Sequence, residues 1–168
     1  MITARDLQTD PVFRASRIGA LQREATLTGR LFSVASEPGL ALRVIVDANG
    51  ALPKWVDPTL SVIEDLALLP AGWDSYGAPP ISLETIVGVF DLLNDLLLQF
   101  DKLPVRLVPT AAGRIQIELR NDDEELDLSV GPDKIAVFYA DENRGVSWEG
   151  DFKQHRADVL QVLRRMAE

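Results

Sequence analysis

Between Arg114 and Val130, apolar and polar residues alternate so regularly that the segment reads as half-buried β-sheet surface. Ile115, Ile117 and Leu119 stand against Arg114, Gln116, Glu118 and Arg120, and Leu126, Leu128 and Val130 repeat the pattern. A strand sends successive side chains to opposite faces, so this alternation leaves one face wet and requires an apolar cover on the other. Five strands are predicted, at Val105–Val108, Arg114–Arg120, Leu126–Val130, Lys134–Ala140 and Val146–Glu149. The connections at 111–113, 121–123, 131–133 and 141–145 are short and polar or glycine-bearing, as an antiparallel meander requires.

The cover is helical. Ser82 is a good N-cap, Glu84 sits in the first turn where the dipole favours it, and Ile81 can pack on Ile86 as a staple. Ile86, Phe90, Leu93, Leu97 and Phe100 then form one stripe, widened by Val89, Leu92 and Leu96. Asp91, Asn94, Asp95 and Gln99 hold the other face, so one long helix is predicted as far as Phe100. A shorter helix begins at Asp57-Pro58 and carries Leu60, Ile63, Leu66 and Ala67 before Pro70. A last one begins near Asp151 with Phe152, Val159, Leu163 and Met166 on one side. The fold class is therefore α+β: an antiparallel meander of about five strands with helices packed on one face, spanning residues 57–168.

Residues 1–56 read as an N-terminal annex. Asp10-Pro11 resembles a capped helix start, and Val12, Ala15, Ile18, Leu21 and Ala25 recur at helical spacing. Leu31–Ala35 and Leu40–Asp47 are strand-like runs separated by Ser36-Glu37-Pro38-Gly39, which predicts a hairpin, and Asn49-Gly50 supplies a further turn.

Between the first two helices of the main domain lies Gly72-Trp73-Asp74-Ser75-Tyr76-Gly77-Ala78-Pro79-Pro80. Gly72 and Gly77 permit positive φ, while the prolines fix φ and extend the residues before them. Trp73 and Tyr76 are large amphipathic rings, and Asp74 between them can accept bonds from loop N–H groups. Two readings stand side by side. In one the segment is a rigid structural corner with its rings packed; in the other the rings and the carboxylate form an exposed recognition site, since Trp and Tyr are enriched at interface hot spots.

The corner, a following helix and Pro109-Thr110-Ala111-Ala112-Gly113 give the chain a resemblance to a family of small uncharacterised bacterial proteins. That family carries a Gly-Trp-Asp-x-Tyr-Gly-Ala corner followed by a Pro-Thr-x-x-Gly-Gly hairpin. The resemblance covers about Leu60 to Glu149, and Arg114 stands where the pattern has a second glycine. It implies an architecture and a bacterial origin, and names no substrate.

The chemistry that the chain can carry is limited. It has no cysteine, which removes thiolate nucleophiles and cysteine metal sites and makes a reducing cytoplasm the expected location. Met1–Ala20 lacks the apolar core of a signal peptide, and no apolar run approaches the length of a membrane span. His155 is the only histidine. Asp122, Asp123, Glu124 and Glu125 lack the spacing and glycine of a calcium loop and read as a solvated hairpin tip. No Walker A loop or GxGxxG occurs, so no catalytic, cofactor-binding or metal-binding residues are assigned.

A net charge of -9 opposes binding to a phosphate backbone, so no nucleic-acid partner is expected. The charge is unevenly placed. Residues 1–56 hold seven basic and five acidic residues, Asp57–Asp101 none and eight, and the remainder ten and thirteen. An acidic stretch beside an aromatic corner points to a non-enzymatic module that binds another, basic protein, in the manner of an antitoxin or immunity-type inhibitor. Trp73, Asp74 and Tyr76 on the corner, with Asp91 and Asp95 four residues apart on the long helix, are its candidate contact residues. Two alternatives stay open: an enzyme or small-ligand binder using a pocket near the corner with Asp74, Tyr76 and His155, and a structural subunit that forms homo-oligomers.

Overall fold

The computed structural model describes residues 12–15, 32–37, 40–46, 53–97, 99–100, 102–103 and 105–168. The chain divides into two compact units, Met1–Leu52 and Pro53–Glu168.

In the first unit β1 (Val12–Ala15), β2 (Phe32–Glu37) and β3 (Leu40–Val46) form an antiparallel sheet in the order β1-β3-β2. The hairpin expected between the two apolar runs is present as β2 and β3, with a register irregularity at Ser36 and Glu37. The helix expected from Asp10 is corrected at its start, because Val12–Ala15 pair with Leu42–Ile45 as a strand. Pairing with a distant strand overrides a weak local spacing, and Val12 and Phe13 are good strand formers. The rest of that expected helix, from Ile18 to Ala25, and the Asn49-Gly50 turn lie outside the described residues.

The second unit begins with α1 (Val56–Ala67), which starts one residue before the predicted cap. Trp55 occupies the N-cap and no side chain caps it; Pro58 instead sits within the first turn, where its missing N–H would be unpaired in any case. The Trp55 ring is buried, and its Nε1 donates to the Phe100 carbonyl at 2.9 Å, tying the start of α1 to the chain beyond the next helix. After the corner comes α2 (Leu83–Leu92), capped as expected by Ser82, whose Oγ accepts from Thr85 N at 3.2 Å. The long helix expected to Phe100 is not α-helical throughout: Leu93–Leu97 form a π-helical turn. The sequence stripe persists through it, since Leu93 and Leu96 are fully buried, but the bonding changes to the wider i→i+5 pattern.

The strands β4 (Val105–Pro109), β5 (Ile115–Arg120), β6 (Glu124–Val130), β7 (Ile135–Asp141) and β8 (Val146–Asp151) then form an antiparallel meander in chain order. The chain closes with α3 (Phe152–Met166), whose Asp151 cap accepts from Lys153 N at 2.8 Å. The fold is α+β, with α1 against β4, α2 against β5 and β6, and α3 against β6, β7 and β8.

Ile115, Ile117 and Leu119 of β5, and Leu126, Leu128 and Val130 of β6, have no exposed surface. Each contributes about 1.5 to 3 kcal/mol relative to exposure, so this central pair of strands carries much of the core energy. Val137, Tyr139 and Asp141 of β7 continue the buried face, whereas Arg120 and Phe138 are exposed on the other. No helix among the described residues is long and apolar enough to cross a membrane.

Candidate functional site

The meander puts the β4–β5 and β6–β7 turns at one end of the sheet and the β5–β6 and β7–β8 turns at the other. The corner belongs to the first end. A Cβ added to Gly113 would stand 3.0 Å from Pro79 Cγ, so the corner and the β4–β5 turn pack against each other. Gly113 has φ +71, the left-handed position that closes a three-residue hairpin loop, and its N–H donates to the Thr110 carbonyl at 2.9 Å. Thr110 N in turn donates to Arg114 O at 2.9 Å, and Thr110 Oγ1 accepts from Arg114 N at 3.2 Å.

Arg114, next to this turn, has a structural use. Its Nε donates to Ser129 Oγ at 2.9 Å, and its Nη2 donates to the carbonyls of Ser129 at 2.6 Å and Lys134 at 3.1 Å. The guanidinium lies over Gly131, where a side chain would collide with it. One arginine therefore staples the β6–β7 turn to the start of β5.

The corner is closed by its own backbone. Gly72 N donates to Ala78 O at 2.7 Å, and Ser75 N to Gly72 O at 2.9 Å. Asp74 sits inside this loop, and its Oδ1 accepts from both Tyr76 N and Ala78 N at 2.9 Å. The bond from Ala78 N, then that from Tyr76 N, holds the Asp74 carboxyl below the usual carboxylate range against a smaller desolvation effect. The tight path requires positive φ at Gly72, Ser75 and Gly77. Ala78 is buried beneath the loop, at 3% exposure.

The two rings of the corner part company. Trp73 is half-buried, with Nε1 shielded from solvent and no acceptor for it among the described residues. Tyr76 is 95% exposed. Asp91 and Asp95 are also exposed, the first in α2 and the second in the π turn, so the α-helical spacing expected to align them is interrupted between them. Asp91 is nine residues beyond Ser82, about 13 Å along the helix axis.

The opposite end of the sheet holds a cluster that sequence reasoning missed. Tyr139 Oη donates to Glu124 Oε1 at 2.6 Å and lies 3.3 Å from Asp141 Oδ2, while Arg165 Nη2 donates to Tyr139 Oη at 2.9 Å. Arg165 also grips Glu124 Oε1 through Nε at 3.1 Å and Nη2 at 2.8 Å. Arg144 Nε pairs with Asp141 Oδ2 at 3.2 Å. Desolvation pushes the Glu124 carboxyl up, but the bonds from Tyr139 and Arg165 outweigh it and hold the group below its ordinary value. Desolvation and the adjacent Glu124 push the Tyr139 hydroxyl up to about 12. The available signal was Tyr139 and Asp141 at inward positions of a strand, where polar groups need partners. Glu124, expected on a solvated hairpin tip, is instead the first residue of β6 and half-buried.

His155 lies in the first turns of α3. Its ring stacks on Trp148 at 4.8 Å and 18°, Nδ1 is 3.1 Å from Asp158 Oδ2, and Gly150 leaves room for it, since a Cβ there would be 2.7 Å from Nε2. It lines an open cleft of about 410 Å³ with Tyr139, Trp148, Gln161 and Arg165. Asp74 and Tyr76 line neither this cleft nor the polar hollow of about 310 Å³ formed by 121–124, Asp141, Asn143 and Arg144. Among the described residues no group of three or more acidic or histidine side chains is placed to hold a metal ion. Comparison of the chain with family models, with curated proteins and with solved structures finds no match.

Proposed function

We propose that the chain is a non-enzymatic protein-binding module of the bacterial cytoplasm, an antitoxin-like or immunity-type inhibitor whose contact surface is the aromatic corner and whose partner is basic. The observation that carries this reading is Tyr76. Its loop is constrained by two bonds to Asp74 Oδ1, by the Gly72–Ala78 closure and by Pro79 against Gly113, yet the ring is 95% exposed. A rigid loop that keeps one of its two rings wholly outside the protein's own core presents that ring at low entropic cost to a partner. The sign of the partner follows from Asp57–Asp101, with eight acidic residues and no basic one.

The cleft beside His155 has the volume of a small-molecule site, but its charged groups are already engaged: Arg165 with Glu124, Arg144 with Asp141, and His155 with Asp158. This favours the protein-binding reading. The test is to purify the native complex and compare wild type with Tyr76→Ala, and separately with Asp91→Asn plus Asp95→Asn. Tyr76→Ala is expected to weaken binding by about tenfold or more while the fold is kept, as removal of an interface anchor does. The double variant is expected to slow association and flatten its salt dependence. Unchanged affinity in the Tyr76 variant contradicts the assignment.

A further inference from the structure

We propose that the corner reads an arginine side chain of its partner, with the guanidinium stacked on the Tyr76 ring and paired with the Asp74 carboxylate. This rests on the reading of the corner as the contact surface and deepens it from a basic protein to one residue type. Three observations converge. The Tyr76 ring is free on both faces at 95% exposure. Asp74 is held against the backbone of the same residue, 2.9 Å from Tyr76 N, so the charge is fixed to the stretch of backbone that carries the ring. The bonds from Tyr76 N and Ala78 N both go to Oδ1, and the backbone of Asp74 and of Gly77 contributes less, so the carboxylate is held ionised at the tip of the loop.

A carboxylate beside an exposed aromatic face matches guanidinium better than ammonium. Guanidinium is planar, stacks on rings and donates along its edge, whereas ammonium is a compact and strongly hydrated point charge. Among the described residues next to the corner in sequence, no basic side chain competes for it. Asp57–Asp101 has no basic residue, and Arg114, just beyond Gly113, is committed to Ser129 and Lys134.

The probe is N-acetyl-arginine amide, titrated into the full chain at low salt and followed through backbone amide signals. Saturable shifts at Tyr76, Gly77 and Ala78 in the millimolar range are expected, with N-acetyl-lysine amide about two- to fivefold weaker. Asp74→Asn keeps an Oδ1 acceptor for the two backbone bonds while removing the charge, so its corner signals stay dispersed and its arginine affinity falls by about fivefold. Tyr76→Ala is expected to lose a similar factor and Tyr76→Phe to retain binding, because the ring face and not the hydroxyl makes the contact. Equal shifts with the lysine probe, or an unchanged response in Asp74→Asn, overturn the inference. If in addition the native partner still requires Tyr76, the protein-binding reading survives; if it does not, both fall.

Discussion

The chain has two tyrosines, and they stand at opposite ends of one sheet in opposite circumstances. Tyr139 is 3% exposed, with its hydroxyl tied to Glu124 and Arg165 and close to Asp141; Tyr76 is 95% exposed on a loop that makes no use of its ring. The ends differ in the same way. At Tyr139 the β5–β6 and β7–β8 turns are joined by Glu142 N donating to Asp123 O at 3.0 Å and by charged groups beneath them. At Tyr76 the frame is held by steric fit, by backbone bonds, by Asp74 accepting from two N–H groups, and by the Arg114 guanidinium donating to a hydroxyl and to carbonyls. A side chain buried in a satisfied network stabilises the fold, whereas one held outside by a rigid frame adds nothing to the core.

Removing the charged end should have the largest effect. Glu124→Ala leaves Arg165 and Tyr139 without their shared acceptor and is expected to cost about 3 kcal/mol by denaturant unfolding. Because the folded state holds the Glu124 carboxyl below its unfolded value, that contribution is full above the unfolded value and is lost as pH falls from there through the lower, folded one. The gap between wild type and variant should therefore close in acid.

Disrupting the other end should cost less and act mainly on display. Gly113→Val forces a β-branched residue to φ +71 against Pro79, and about 2 kcal/mol of destabilisation is expected, with corner amide signals shifted and the Glu124 end unchanged.

A carboxylate on the wet face separates the two ends further, because its pH dependence has the opposite sign to that of Glu124. Asp127 accepts from Gln116 Nε2 at 2.7 Å through Oδ2, while Oδ1 is buried without a partner among the described residues. Desolvation, then Glu125, pushes it up to about 6. A raised carboxyl loses stability as pH climbs from the unfolded value through the folded one, so the ionised group is a liability at neutral pH. Asp127→Asn is expected to gain about 1 kcal/mol at pH 7 and nothing at pH 3, read from thermal unfolding at the two pH values.

The sheet was legible because period-two alternation is a local signal, and Ile115, Ile117 and Leu119 point inward as their spacing requires. The Ser82 cap was legible for the same reason. What escaped depends on residues far apart in the chain. The strand at Val12–Ala15 is defined by its pairing with Leu42–Ile45, and the π turn at Leu93–Leu97 leaves the apolar stripe intact while changing its bonding. The Tyr139 cluster joins residues separated by 15, 26 and 41 positions. At the corner, composition gave the shape but could not assign the rings, since Trp73 and Tyr76 carry similar apolar area and only packing decides which one turns inward.

The most direct test of the contrast is native nitration with tetranitromethane, located by peptide mass. The account predicts a single nitrated tyrosine in the free folded chain, Tyr76, with Tyr139 reacting only after denaturation. Nitration of Tyr139 at a comparable rate, or protection of Tyr76 in the free chain, would contradict it.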